Sequence, residues 1–124
     1  MANILVVDDN IAFLEIQTEY LRRAGHDVTP ATNGIEAMNR VDSHRFDLVI
    51  TDLIMPDKEG VQVIMELRRK HPGIRIIAMS GGGRVNAEDY LAIARRLGAA
   101  KTLSKPFTGD ELLGAVAEVM ATPA

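Results

Sequence analysis

The chain has 124 residues, 47% hydrophobic and 25% charged, which fits one folded domain with its own core and excludes a disordered segment. It contains no cysteine, so a disulfide scaffold, thiol catalysis and cysteine-ligated metal are excluded. A formal charge of −3 without a basic stripe argues against direct nucleic-acid binding, and no apolar run approaches the ~20 residues of a membrane span.

The N-terminus, MANILVVDDN, lacks the basic region and long apolar stretch of a signal peptide, so the expected location is cytoplasmic, with no membrane insertion. Ile4 to Val7 is an apolar run too short for a helix, and it ends in Asp8-Asp9. Asn10 is placed to cap the helix that follows. In that helix Phe13, Ile16, Tyr20 and Leu21 share one face and are expected to point inward. Gly25 ends it after Arg22 and Arg23, which suit the negative end of the helix dipole. Asp27 to Ala31 is a weak strand, and Pro30 assigns it to a sheet edge because proline cannot donate to a ladder. Asn33-Gly34 then opens a short helix carrying Ala37, Met38 and Val41.

Leu48, Val49 and Ile50 form a β-branched-rich run, read as a strand buried on both faces. It stops at Asp52, and Met55-Pro56 forbids helix at once. After Gly60, Val63, Ile64 and Leu67 make the stripe of a third helix, closed by Arg68, Arg69 and Lys70. Ile74 to Met79 is a fourth strand ending in Ser80-Gly81-Gly82-Gly83. A fourth helix is expected from about Asn86 to Leu97, with Leu91, Ala94 and Leu97 inward. Thr102 and Leu103 lie on a fifth strand ending in Ser104-Lys105-Pro106-Phe107. Thr108 and Glu111 form a capping box for the last helix, which buries Leu112, Leu113, Val116 and Val119.

Such alternation predicts a parallel sheet with helices on both faces. Right-handed crossovers place every strand's carboxyl end on one edge, where open α/β sheets bind ligands. Asp8, Asp9, Asp52, Ser80 and Lys105 all fall on that edge. Neighbouring strands are ~4.8 Å apart, so these side chains can meet. Three close carboxylates repel one another unless a cation neutralises them, and oxygen-only ligands suit Mg²⁺. A nucleophilic carboxylate, a hydroxyl and an ammonium are parts with which phosphoryl transfer can be run.

Over its whole length the chain resembles the receiver domain of two-component response regulators, in the single-domain, chemotaxis-type form. The resemblance rests on four features at strand ends: Asp8-Asp9, Asp52 followed by Met55-Pro56 and Gly60, Ser80, and Lys105-Pro106-Phe107. It implies a doubly wound five-stranded parallel sheet of order 2-1-3-4-5 with five helices in three layers. Residues 1–121 would form the receiver and 122–124 a short tail, with no output domain. Asp52 would be the phosphoacceptor, served by a histidine kinase or a histidine phosphotransfer protein. Asp9 would bind Mg²⁺ directly and Asp8 mostly through water, with Asp52 and the main-chain carbonyl of Ile54 completing the site. Ser80 and Lys105 would hold phosphoryl oxygens, and a cis peptide before Pro106 would aim Lys105 inward. Small Gly81 would keep the phosphoryl group accessible.

One position departs from the family pattern. Three residues before the lysine the family usually carries an aromatic switch, and here stands Thr102. The expected alternative is backbone ordering of a mobile Gly81-Gly82-Gly83 loop. A monomer acting on a separate downstream target protein, and turning over no substrate of its own, completes the reading.

Other classes fit less well. A small Mg²⁺-dependent aspartyl phosphatase of the haloacid-dehalogenase type alternates its two acids, whereas Asp8 and Asp9 are adjacent. A flavodoxin needs a hydroxyl-rich phosphate loop and flavin-stacking aromatics, and this chain is 4% aromatic without tryptophan. A phosphorylation-independent docking module of receiver type remains the main alternative. His26, His44 and His71 lack metal spacing and are expected at the surface, and Asp57-Lys58-Glu59 in a solvated loop and helix start. Met38, Met55, Met65, Met79 and Met120 are expected in the core or at its margin.

Overall fold

The computed structural model describes residues 2–53, 60–81 and 87–121, excluding the side chains of 87–91. The elements alternate as β1 (Asn3–Val7), α1 (Ile11–Arg23), β2 (Asp27–Ala31), α2 (Gly34–Ser43), β3 (Leu48–Asp52), α3 (Gly60–Lys70), β4 (Arg75–Ser80), α4 (Ala87–Arg96), β5 (Lys101–Ser104) and α5 (Gly109–Ala121). All strand pairs are parallel, in the order β2-β1-β3-β4-β5. The expected α/β architecture is therefore present, with Pro30 on the edge strand.

Alternation along each strand divides the core in two. Leu5, Val7, Val49, Ile76 and Ala78 pack with α2, α3 and α4 through Met38, Val63, Ile64, Leu67 and Ala94. Ile4, Val6, Leu48, Ile50, Ile77 and Met79 pack on the other face with α1 and α5 through Leu14, Leu21, Leu112 and Val116. No described helix is long and apolar enough to cross a membrane.

Local chemistry sets the ends of the helices. Asn10 and Asn33 accept from the main-chain N–H of Phe13 and Glu36. Thr108 and Glu111 make the reciprocal pair of a capping box, whose loss costs about 1 kcal/mol in comparable caps. Gly25, at φ 95°, closes α1: its N–H donates to Arg22 and that of His26 to Leu21, the paired bonds of a left-handed cap.

Three side-chain expectations are corrected. The inward face of α1 is Leu14, Gln17, Thr18 and Leu21, while Ile16 and Tyr20 are 52% and 42% exposed. Two overlapping stripes run along this helix, one residue apart. Packing against β1 and α5 selected the one that carries Gln17. Met65 is 54% exposed, because α3 turns Val63, Ile64 and Leu67 inward. His44 is exposed as expected, but His26 and His71 are half-buried, and His26 Nδ1 accepts from the Ala2 N–H at 3.1 Å. Met38 and Met79 are buried and Met120 is half-buried, whereas Met55 and residues 57–59 lie outside the described residues.

Candidate functional site at the carboxyl edge of the sheet

The site begins where β1 and β3 end. Val7 is paired with Thr51, so the next residues, Asp8 and Asp52, leave neighbouring strands side by side. Asp8 is fully buried. Its Oδ1 accepts the Asn10 N–H at 3.0 Å, and its Oδ2 accepts both Gln17 Nε2 at 3.0 Å and Lys105 Nζ at 2.7 Å. Asp52 is buried too, and its Oδ2 accepts from Lys105 Nζ at 3.0 Å. Asp9 is exposed. One carboxylate oxygen from each of the three aspartates lies within 4.8 Å of the others.

Lys105 reaches this cluster from the end of β5. Its main-chain N–H donates to the Ser80 carbonyl at 2.8 Å, continuing the β4–β5 ladder by one step. The Lys105–Pro106 peptide is cis, the geometry that the family resemblance implies. The ammonium lies 4.8 Å from the centre of the Phe13 ring, an arrangement that favours the cation. Phe13 in turn meets Phe107 edge-on, with ring centres 5.2 Å apart. Burial works to lower the Lys105 pKa, but hydrogen bonds and charge attraction from Asp8 and Asp52 outweigh it, and the pKa is raised.

Ser80 ends β4 and is 1% exposed, with its Oγ lacking a hydrogen-bond partner among the described residues. A buried hydroxyl left unpaired carries a desolvation penalty, so this one is poised to bond an oxygen brought into the site. Gly81 is half-buried beside it, and Pro106 is exposed. Thr102 stands apart from the acids: it is half-buried, and its Oγ1 accepts from Arg95 Nη2 at 3.0 Å. Ile54, Gly82 and Gly83 lie outside the described residues.

The carboxylates offer oxygen only, as a small hard cation requires. Three aspartates against one lysine leave a formal charge of −2 among the described residues, which a divalent cation would neutralise. The donor set therefore fits Mg²⁺.

Sequence reasoning missed Gln17 and the part played by Gly60. A Cβ on Gly60 would overlap the Asp52 carbonyl, so only glycine lets α3 start this close to β3; the Gly60 N–H donates to Leu53 at 2.9 Å. Gln17 was legible as a polar residue inside the Leu14–Leu21 stripe, once that stripe was known to face inward.

Fold and site together define the receiver class of α/β domains. The family model for the response regulator receiver domain matches residues 4–117, and the chain belongs to that family, the receiver domains of two-component response regulators. It is 38% identical over 113 residues to a response regulator receiver protein of Anaeromyxobacter sp., covering 91% of this chain and 46% of that protein. It is 36% identical over 115 residues to the DNA-binding transcriptional regulator NtrC of Azospirillum brasilense, covering 93% of this chain and 23% of that one. Sporulation initiation phosphotransferase F of Bacillus subtilis is 31% identical over 113 residues, covering 91% of this chain and 89% of its own length. The chain thus spans less than half of the first two relatives and most of the third. Among solved structures, the receiver domain of NtrX from Brucella abortus superposes with a TM-score of 0.90 at 26% identity, covering 96% of this chain and 98% of that one.

Proposed function

We propose that this receiver domain accepts a phosphoryl group on Asp52 from the phosphohistidine of a histidine kinase or histidine phosphotransfer protein, with Mg²⁺ held at the acidic cluster. The observation that carries this reading is the Lys105 ammonium 3.0 Å from Asp52, with the buried Ser80 hydroxyl, unpartnered among the described residues, at the end of the adjacent strand. A carboxylate, a cation and a waiting donor are what an incoming phosphoryl group needs.

An Asp52 oxygen attacks phosphorus, the phosphorus–nitrogen bond breaks, and its electron pair leaves with the donor's imidazole. Lys105 follows the new negative charge, and Ser80 Oγ donates to a phosphoryl oxygen. Asp9, exposed and within reach of both buried acids, would hold the cation directly. Asp8 would act mostly through water, since both of its oxygens already accept protein hydrogen bonds. By the family pattern the main-chain carbonyl of Ile54, which lies outside the described residues, would complete the metal set. Bound Mg²⁺ supplies positive charge against the phosphoryl oxygens. The domain turns over only itself, and its product is a changed surface for a separate downstream protein. It acts as a cytoplasmic monomer.

The switch departs from the aromatic route. Thr102 is engaged by Arg95 and lacks a ring to swing. Ser80 drawn toward the phosphoryl group moves the backbone at Gly81, and through it the start of α4.

The test is to present the purified protein with a small phosphodonor, with and without Mg²⁺, and to read intact mass. One phosphoryl group is expected on the wild type with Mg²⁺, labile to mild alkali, and none on Asp52→Asn. Stoichiometric label surviving in Asp52→Asn overturns the assignment.

A further inference from the structure

Gln17 is the polar residue on the inward face of α1 that reaches the site. It is 1% exposed. Its Nε2 donates to Asp8 Oδ2 at 3.0 Å, while its Oε1 is buried without a partner among the described residues. An apolar side chain would pack here without stranding a carbonyl, so the amide carries a desolvation cost set against the bond it makes.

That bond falls on the same oxygen that receives Lys105 Nζ at 2.7 Å. The other oxygen is tied to the Asn10 N–H. Gln17 and Asn10 therefore hold the two ends of the Asp8 carboxylate from α1 and its cap, and set its plane independently of the lysine. Without Gln17, Oδ2 would belong to Lys105 alone. The carboxylate would be free to turn with the lysine and lose the fixed plane it offers a hydrated cation. When Lys105 turns to another anion, Gln17 is the donor left to satisfy a fully buried oxygen.

We infer that Gln17 is a positioning residue of the acidic site: it holds Asp8 open to a divalent cation and frees Lys105 to leave. This rests on the metal-dependent phosphoacceptor reading above. Outer partners that orient a ligand commonly change metal affinity 10- to 100-fold.

The test is Mg²⁺ titration of the full chain by chemical shift, for wild type, Gln17→Met and Gln17→Leu, with urea unfolding of each in chelator. Both variants should stay close to wild type in stability, the bond lost to a buried carboxylate being offset by the stranded carbonyl removed with it, yet bind Mg²⁺ about 10-fold more weakly. A packing role alone would lower stability and leave affinity in place. In an Asp8→Asn background the Gln17→Met change should have little further effect, as a shared interaction requires. Affinity within twofold of wild type in both variants, or an undiminished loss in the Asp8→Asn background, overturns the inference while wild-type Mg²⁺ binding keeps the site reading intact. A wild type that binds no Mg²⁺ overturns both.

Discussion

Lys105 lies nearer to Asp8, at 2.7 Å, than to Asp52, at 3.0 Å. The lysine thus bridges two buried carboxylates at the ends of neighbouring strands. Its raised pKa follows from those bonds and charges overcoming burial.

Lys105→Met should therefore remove a positive charge that two buried carboxylates share. Removing one partner of a buried pair costs about 3–5 kcal/mol; the bonds Asp8 keeps to Gln17 and Asn10 place this case at or below the lower end. Because the folded pKa lies above the unfolded one, the stabilisation is fully present below the unfolded value and lost as pH rises through the folded value. Urea unfolding in chelator should give a wild-type-minus-variant gap that is steady from about pH 8 to 10 and shrinks at more alkaline pH. A gap that closes between pH 8 and 9 would contradict this.

His26 titrates in the opposite sense. Burial, and then the positive N-terminus, lower its pKa from 6.5, and its neutral Nδ1 accepts from Ala2. Its contribution is present above pH 6.5 and falls away as pH drops from there through the lowered folded value. His26→Gln should flatten that limb of the pH–stability curve. An unchanged limb would place the acid sensitivity elsewhere.

Gly60→Ala should be among the most damaging small substitutions in the chain. Its Cβ meets the Asp52 carbonyl and the Leu53 Cα, which are backbone and cannot swing aside. Overpacking of this kind costs about 1–3 kcal/mol, and here it also displaces the acceptor strand. The unfolding free energy from urea titration should fall by about 1–3 kcal/mol, with weaker Mg²⁺ binding. Gly114→Ala, where a Cβ meets nothing, should be neutral or mildly stabilising and serves as the control.

Hydrogen exchange distinguishes the two switching routes. With a beryllofluoride mimic of the phosphoryl group, amide protection should rise at Gly81 and in the first turn of α4. Thr102→Ala removes the Arg95 hydrogen bond and should leave that rise largely intact. Loss of the response in Thr102→Ala would return the switch to β5.

Short-range chemistry made much of this protein legible in its sequence. Apolar runs ending in Asp8, Asp52, Ser80 and Lys105 located the strand ends, because side-chain alternation and a buried sheet leave few other uses for such runs. Asn10, Asn33, Gly25 and the Thr108–Glu111 pair marked helix ends, because a cap is satisfied within a few residues of itself. With parallel crossovers, that placed the site on one edge.

What lay beyond the sequence were contacts between elements far apart in the chain. Two stripes on α1 were each apolar enough to be buried, and only docking against β1 and α5 chose Leu14, Gln17, Thr18 and Leu21. That choice brought Gln17 to Asp8 and Phe13 over Lys105. Gly60 read as a turn residue until α3 was seen to begin against the Asp52 carbonyl. A periodic pattern states that some face is buried; which face, and what it touches, is decided by the shape of the surface it packs against.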